Sequence, residues 1–296
     1  MEKYSKSKLV AKRYIIFFII VFAIIVVYFG IYLIRILTTD KVVYSEIDRV
    51  ASSCTQEEAT KSTPIIINNI VIGAEYNSKW VDSLNYYKYS ENKEKTEVEV
   101  FNRNGKNGTF NIDEVKSTAN KYDTVYVNII KNDYISEYYA VASGRSRLNL
   151  ATKIEINEDN EKEFINKARS AVANYNYING TMKVQEAYDV SLSYDNKYTL
   201  LFVTNDGNVN MGVYGAIVAV PNVGSPICIK YNYYKDAKNA PEFEFYSFKF
   251  VGDLNNDDLS EIIVQATREF TTSYYVIELR DGKFKQVLES TISVSK

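Results

Sequence analysis

Residues 250–264 read FVGDLNNDDLSEIIV and place a polar loop between two apolar runs. Oxygen ligands recur at alternate positions in this loop, as side chains or, at one position, as a backbone carbonyl. These positions are Asp253, Asn255, Asp257, Leu259 (the carbonyl) and Glu261. Carboxylate, amide and carbonyl oxygens are the ligands of Ca²⁺, which takes about six to eight of them. The spacing therefore predicts a metal-binding loop.

The spacing excludes an EF-hand. An EF-hand loop needs Gly at its sixth position and a bidentate Glu at its twelfth. Counted from Asp253, those positions hold Asp258 and Val264. The flanks are also rich in the β-branched and aromatic residues that favour strands over helices. The loop is therefore expected to join two β-strands.

With an acidic residue at the ninth position instead, the pattern resembles the calcium loops of FG-GAP (VCBS-like) repeats. The matching positions are Gly252, Asp253, Asn255, Asp257 and Glu261. The resemblance implies a structural Ca²⁺ held by this loop and blade-like strands at 261–267, 273–279 and 284–289, with an Asp-Gly turn before the last. It begins near residue 250 and departs from the family at Asp258, where Gly is usual. An acidic turn without a metal is the alternative.

Residues 14–34 form an apolar run without a charged side chain. A membrane-spanning helix needs about 20 such residues, and basic residues are concentrated before this run. We therefore expect a transmembrane helix at 14–37, a cytoplasmic tail at 1–13 and an extracellular C-terminal part. A cleaved signal peptide is the alternative, but its apolar region is usually about 7–15 residues and ends at small residues.

Composition narrows the classes of function. The net charge is −2, and because residues 1–35 contribute +5, the remainder carries −7. Such a surface disfavours nucleic acid as a partner. The chain has no histidine, which removes the Ser–His and Cys–His pairs and the usual zinc ligand. The abundance of Tyr, Asn, Ile and Lys is typical of an AT-rich, Gram-positive-type bacterium.

No nucleotide-binding or nucleophile motif occurs, so the chain is not expected to be an enzyme. Paired carboxylates of a cell-wall glycan hydrolase are the alternative. The candidates for such a pair are Glu75, Asp82, Asp189 and Glu242. Trp80 is expected in the core. Cys54 and Cys228 are either a disulfide or two unreactive thiols.

The predicted fold class is mainly β, with one transmembrane helix and one soluble amphipathic helix. It is an α+β fold with partial propeller-like antiparallel sheets. The soluble helix is expected at 158–175, where apolar residues recur with a helical period. The predicted division is a tail at 1–13, a transmembrane helix at 14–37, a stalk at 38–63, a β domain at 64–157 and a helix plus FG-GAP-like β domain at 158–296.

These features predict a membrane-anchored extracytoplasmic protein of the binding or adhesion type, in which Ca²⁺ rigidifies the structure. Its expected partner is a polysaccharide or a protein of the cell envelope, and nucleic acid is not expected. An envelope sensor or assembly factor that acts through membrane proteins is a second hypothesis. The glycan hydrolase is a third.

Overall fold

The computed structural model describes residues 21–22, 54–90, 96–102, 104–118, 124–129, 137–142, 147–148, 151–173, 175, 180–205, 212–234 and 243–293. Two compact units divide the chain, residues 1–42 and residues 43–296. In the first unit the described residues are 21–22, which are helical. The second unit contains the sheets and helices below.

Three short helices occur in the second unit: α1 Gln56–Thr60, α2 Ser83–Tyr89 and α3 Glu158–Val172. Side chains cap the N-terminus of each helix. Thr55 and Asn157 form capping boxes at α1 and α3, and Asp82 accepts a hydrogen bond from the Asn85 amide at α2. Such caps satisfy backbone N–H groups that the first helical turn leaves without partners.

The first sheet contains β1 Thr63–Ile67, β2 Ile70–Tyr76, β3 Lys79–Val81, β4 Glu97–Asn102, β5 Gly105–Ser117, β6 Val125–Ile129 and β7 Tyr139–Ala142. Its strand order is β1-β7-β4-β5-β6-β2-β3, and β1 also pairs with β2. Six of the strands therefore close into a ring. The turn between β1 and β2 consists of Asn68 and Asn69, with φ of 48° and 67°, a backbone that suits a two-residue hairpin.

The other two sheets are antiparallel meanders, each extended by one two-residue strand. The second sheet has the order β13-β12-β11-β10-β9, and the third has the order β17-β16-β15-β14-β8. Their strands are β8 Arg147–Leu148, β9 Thr152–Lys153, β10 Met182–Ser191, β11 Lys197–Asn205, β12 Val213–Pro221, β13 Ile227–Tyr234, β14 Phe245–Asp253, β15 Glu261–Thr267, β16 Thr271–Arg280 and β17 Lys283–Ser293.

The third sheet is covered on both faces. One face shares a core with the second sheet, where the rings of Phe202 and Phe248 lie 6.4 Å apart. The other face shares a core with the outside of the ring, and this core includes Ile72 and Leu288. This double coverage explains why nine of the ten residues of β16 are buried. A strand that is covered on both faces has no face left for solvent.

Two further cores complete the layers. The interior of the ring is apolar and includes Ala59 of α1 and Tyr86 of α2. Helix α3 covers the outer face of the second sheet through Phe164, Ala168 and Val172. The order of layers is therefore α3, second sheet, third sheet and ring.

The predicted fold class needs correction. In the described part of the chain, no helix is both long and apolar enough to cross a membrane. The expected transmembrane helix at 14–37 lies outside the described residues except for 21–22, and the structure gives it no support. The fold is mainly β, with three antiparallel sheets in layers and three short helices, in place of a partial propeller with one soluble helix.

The predicted domain boundary at 157 is crossed by strand pairing. Strand β8 pairs with β14, and β9 pairs with β10. The core between the ring and the third sheet likewise joins residues from both sides of this boundary. The division into domains at 64–157 and 158–296 stays a prediction.

Gly73 lies where the ring approaches the third sheet closely. A Cβ at this position would lie 2.5 Å from Leu288 Cδ1 and 2.9 Å from the Val81 carbonyl oxygen. We expect Gly73→Ala to destabilise the protein by about 1–3 kcal/mol, because overpacking forces neighbouring groups to shift. Urea unfolding of the full-length protein, followed by fluorescence of the single tryptophan Trp80, measures this loss.

The control is Leu288→Ala, alone and combined with Gly73→Ala. Removing the leucine methyls relieves part of the clash, so the two changes together should cost less than the sum of their separate effects. Strict additivity would show that Gly73 is not limited by Leu288.

Candidate functional site

The predicted metal loop connects β14 to β15. Gly252 pairs with Glu261 near the ends of these strands, and residues 254–260 form the loop between them. Asn256 and Asp258 have φ of 58° and 66°, in the left-handed region that Asn and Asp enter more readily than most residues. Asp258 thus adopts the backbone conformation for which the FG-GAP family uses Gly.

The predicted ligands Asp253, Asn255 and Asp257 are used in hydrogen bonds within the loop. Asp253 is buried and accepts the amides of Asp257 at 3.1 Å and Asp258 at 3.2 Å. Asn255 accepts the Asp257 amide at 3.2 Å and donates to its carboxylate at 3.1 Å. Asp257 accepts the Leu259 amide at 2.9 Å. Local side-chain to backbone bonds of this kind stabilise tight loops.

Glu261, the last predicted ligand, lies buried at the start of β15. Its carboxylate accepts the Leu254 amide at 2.8 Å. Burial raises the pKa of Glu261 well above its usual range, and the carboxylates of Asp257, Asp253 and Glu278 raise it further. Glu261 thus stands in a group of carboxylates whose negative charges repel one another.

The described residues give the calcium prediction no support, and the structural Ca²⁺ stays a prediction. Within the described residues, no group of three or more His, Cys, Asp or Glu side chains is arranged to hold a metal ion. The loop does bring Asp253, Asn255 and Asp257 together, but through hydrogen bonds that close the turn. We therefore describe residues 253–261 as a hydrogen-bonded acidic turn.

This acidic turn lies at one end of the second and third sheets, together with three other turns. The pairs Ser191–Lys197 and Ala219–Ile227 close two hairpins of the second sheet, and Arg280–Lys283 closes one of the third. The Ser260 amide donates to the Leu192 carbonyl oxygen at 2.8 Å, which joins the two sheets at this end. We call residues 192–196, 222–226, 253–260 and 281–282 the loop rim.

The loop rim carries the two most exposed large apolar side chains among the described residues. Tyr194 is 90% exposed and Val223 is 93% exposed. Tyr194 is also the only exposed tyrosine in the part of the chain that the structure describes. Loops held by a rigid scaffold are frequent sites of binding, so the rim is the candidate functional site.

A second polar cluster lies between the same two sheets and centres on Glu244, whose side chain is 1% exposed. Its carboxylate accepts hydrogen bonds from Arg268 Nε at 3.0 Å, Tyr275 at 2.6 Å and Tyr246 at 2.6 Å, and it pairs with Arg268 Nη2. The Lys230 ammonium lies 3.3 Å from the centre of the Tyr275 ring. The cluster is therefore a bonded set of charges within the core.

The pKa of Glu244 reflects these partners. Burial alone would raise it, but the charges of Lys230 and Arg268 and the hydrogen bonds from Tyr246 and Tyr275 outweigh burial. The pKa of Glu244 is therefore below its ordinary value. A buried carboxylate that stays ionised in this way depends on every one of its partners.

Little in the sequence indicates this cluster. Glu244 stands between Phe243 and Phe245, and Lys230 stands within an apolar strand. A charged residue inside an otherwise apolar strand was the sequence feature that could have indicated a buried polar cluster. Interpreting this feature requires knowing that the second sheet packs against another sheet.

Three of the carboxylates considered for a hydrolase lie in the described residues, and each accepts a hydrogen bond from a neighbouring group. Asp82 caps α2, and Asp189 accepts a hydrogen bond from Thr199 on the neighbouring strand at 2.7 Å. Glu75 is buried in β2, where it accepts the Ser78 amide at 2.7 Å. Glu242 lies outside the described residues.

The remaining residues singled out in the sequence are Trp80, Cys54 and Cys228. Trp80 is buried as expected, and its indole donates to Glu278 at 2.9 Å. Glu278 also pairs with Arg280 at 2.7 Å. Cys54 and Cys228 are free thiols, and burial raises the pKa of Cys228 to about 12, so Cys228 is unreactive.

Asp253 is expected to hold the acidic turn. We predict that Asp253→Ala destabilises the full-length protein by about 2–4 kcal/mol, because two amides in a partly buried turn lose their acceptor. Urea unfolding measures the effect. Asp195→Ala, at an exposed position of another rim turn, is the control and should change stability little. Equal stability of the Asp253 variant and the wild type would contradict this role.

Glu244→Gln is expected to cost about 3–5 kcal/mol at pH 7, because it breaks a buried ion pair from one side. The lowered pKa means that ionised Glu244 stabilises the fold above its unfolded pKa of about 4.3, and that this stability is lost as the pH falls through the lower folded value. Wild-type stability should therefore fall more steeply with acid than that of the variant.

Unfolding of both proteins in urea across a pH series provides the measurement. Glu155→Gln, which changes an exposed carboxylate, is the control and should follow the wild type. Parallel curves for the wild type and Glu244→Gln would show that Glu244 is not the group that titrates.

Comparison with known proteins adds no family to these observations. No protein-family model, no curated protein sequence and no solved structure matches the chain. The resemblance to FG-GAP repeats therefore rests on the loop residues alone and stays a prediction.

Proposed function

We propose that this chain is a non-catalytic binding protein of the adhesion type, and that the loop rim is the surface that contacts its partner. The observation that carries the proposal is the placement of Tyr194 and Val223. They are the most exposed large apolar residues of the described chain, and they project from two turns at the same end of one sheet.

Single exposed apolar residues are common, but apolar groups that are exposed together mark interaction sites. Val223 stands at the tip of a hairpin whose strand β12 is buried on both faces, and Tyr194 stands at the tip of a hairpin whose strand β11 is buried from residue 200 to 205. The tips can therefore be replaced without disturbing the core. That separation of a rigid scaffold from variable tips is typical of binding proteins.

Contacts between the second and third sheets hold the turns of the loop rim together as one surface. The Ser260–Leu192 hydrogen bond ties the acidic turn to the turn that contains Tyr194. The rings of Tyr198 and Phe284, just below the rim, lie 5.4 Å apart and join the two sheets again. A partner that contacts Tyr194 therefore meets a surface with little freedom to rearrange, which lowers the entropic cost of binding.

Photo-crosslinking in the cells that produce the protein tests this proposal. Replacing Tyr194 or Val223 with p-benzoylphenylalanine should give a discrete covalent adduct on irradiation. The matched control is Phe245, which is 56% exposed near the opposite end of the third sheet. We expect no adduct from position 245.

The second arm of this test uses the tips themselves. Val223→Ser should reduce the adduct formed from position 194, because both residues contact the same partner. Equal yields from positions 194 and 245, or no adduct at either rim position, would contradict a binding role for the loop rim.

A further inference from the structure

The shape of the loop rim restricts what can bind to it. Small-molecule sites are concave and enclose most of their ligand, whereas Tyr194 and Val223 project almost fully into solvent. A small ligand would touch each of them from one side only. The rim is therefore suited to a macromolecule that supplies its own recesses.

The charges of the rim and its flanks are unbalanced. Four aspartates of its turns are exposed: Asp195, Asp257, Asp258 and Asp281. The flanking exposed bases are Lys197 and Lys283, while the nearby Arg280 is paired with the buried Glu278. The exposed groups thus leave an excess of two negative charges around the apolar tips.

The polar residues between these charges favour a protein over a glycan. A glycan site usually offers free aromatic faces for stacking, but Tyr194 is the single exposed tyrosine described, and the Lys197 ammonium lies 5.9 Å from the centre of its ring. The remaining exposed positions include Asn222, Gly224 and Ser225. A tyrosine among Asn, Ser and Gly is the composition of surfaces that adapt to proteins.

From this chemistry we infer that the partner is a protein whose contact surface combines Lys or Arg side chains with an apolar recess. The inference rests on the proposed function and adds the class of partner to it. Opposite charge speeds encounter and fixes orientation, and the recess would cover Tyr194 and Val223. Because exposed charges are screened by salt, binding should weaken as ionic strength rises.

Two synthetic peptides of identical leucine content test the inference, one with lysine and the other with glutamate at every charged position. Fluorescence anisotropy with the full-length protein should show binding of the lysine peptide and about tenfold weaker binding of the glutamate peptide. The lysine peptide should also lose affinity between low and high NaCl concentrations. Equal affinity for the two peptides would overturn a basic partner.

Variants separate the two proposals. The triple variant Asp195→Asn/Asp258→Asn/Asp281→Asn should lower affinity for the lysine peptide about tenfold at low salt and little at high salt. Tyr194→Ser/Val223→Ser should lower it at both. Phe245→Ser/Phe270→Ser, a pair at the opposite end of the third sheet, should leave affinity unchanged. Unchanged urea unfolding confirms that each variant is folded.

The outcomes are distinguishable. If only Tyr194→Ser/Val223→Ser weakens binding, the rim remains a binding surface but its partner is not selected by charge. If none of the rim variants weakens binding, the proposed function fails as well. If purified cell-wall polysaccharide binds the wild type and not Tyr194→Ser/Val223→Ser, the partner is a glycan and the inference is wrong.

Discussion

Glu244 joins the second and third sheets through both its backbone and its side chain. Asn232 of β13 donates to the Glu244 carbonyl at 3.0 Å and accepts its amide at 3.3 Å, while the carboxylate is held by Arg268, Tyr246 and Tyr275. A buried charge is tolerated only when its partners are in place. The contacts of Glu244 therefore favour one relative position of the two sheets. The turns of the loop rim connect strands of these sheets, so their relative positions are set by the same contacts.

The third sheet transmits this constraint to the rest of the unit, because it is the layer that touches both neighbours. Its contact with the ring is close enough that Gly73 has no room for a side chain. Its contact with the second sheet includes the bonded charges around Glu244. Apolar packing supplies most of the stability of such layers, but it is not directional, and the polar contacts fix which layers face each other.

Local features of this fold could be predicted from the sequence, and its long-range features could not. The Asp281-Gly282 turn, strand 261–267 and the start of the 158–172 helix follow from turn chemistry, β-branched residues and capping. The closure of the ring depends on β1, which pairs with β2, the next strand in the chain, and also with the distant β7. The acidic turn was located correctly, but its spacing alone cannot distinguish oxygens that bind a cation from oxygens that accept backbone amides.

The layer order has a consequence for synthesis on the ribosome. The ring strands with Ile65, Ile67 and Ile72 belong to the first half of the chain, whereas the residues that cover them, Val276 and Leu288, come from the last strands. Because chains fold from the N-terminus as they emerge, that apolar face stays open until translation is nearly complete. Because transiently exposed apolar surface favours aggregation, we expect a product truncated before β16 to be less soluble than the full chain.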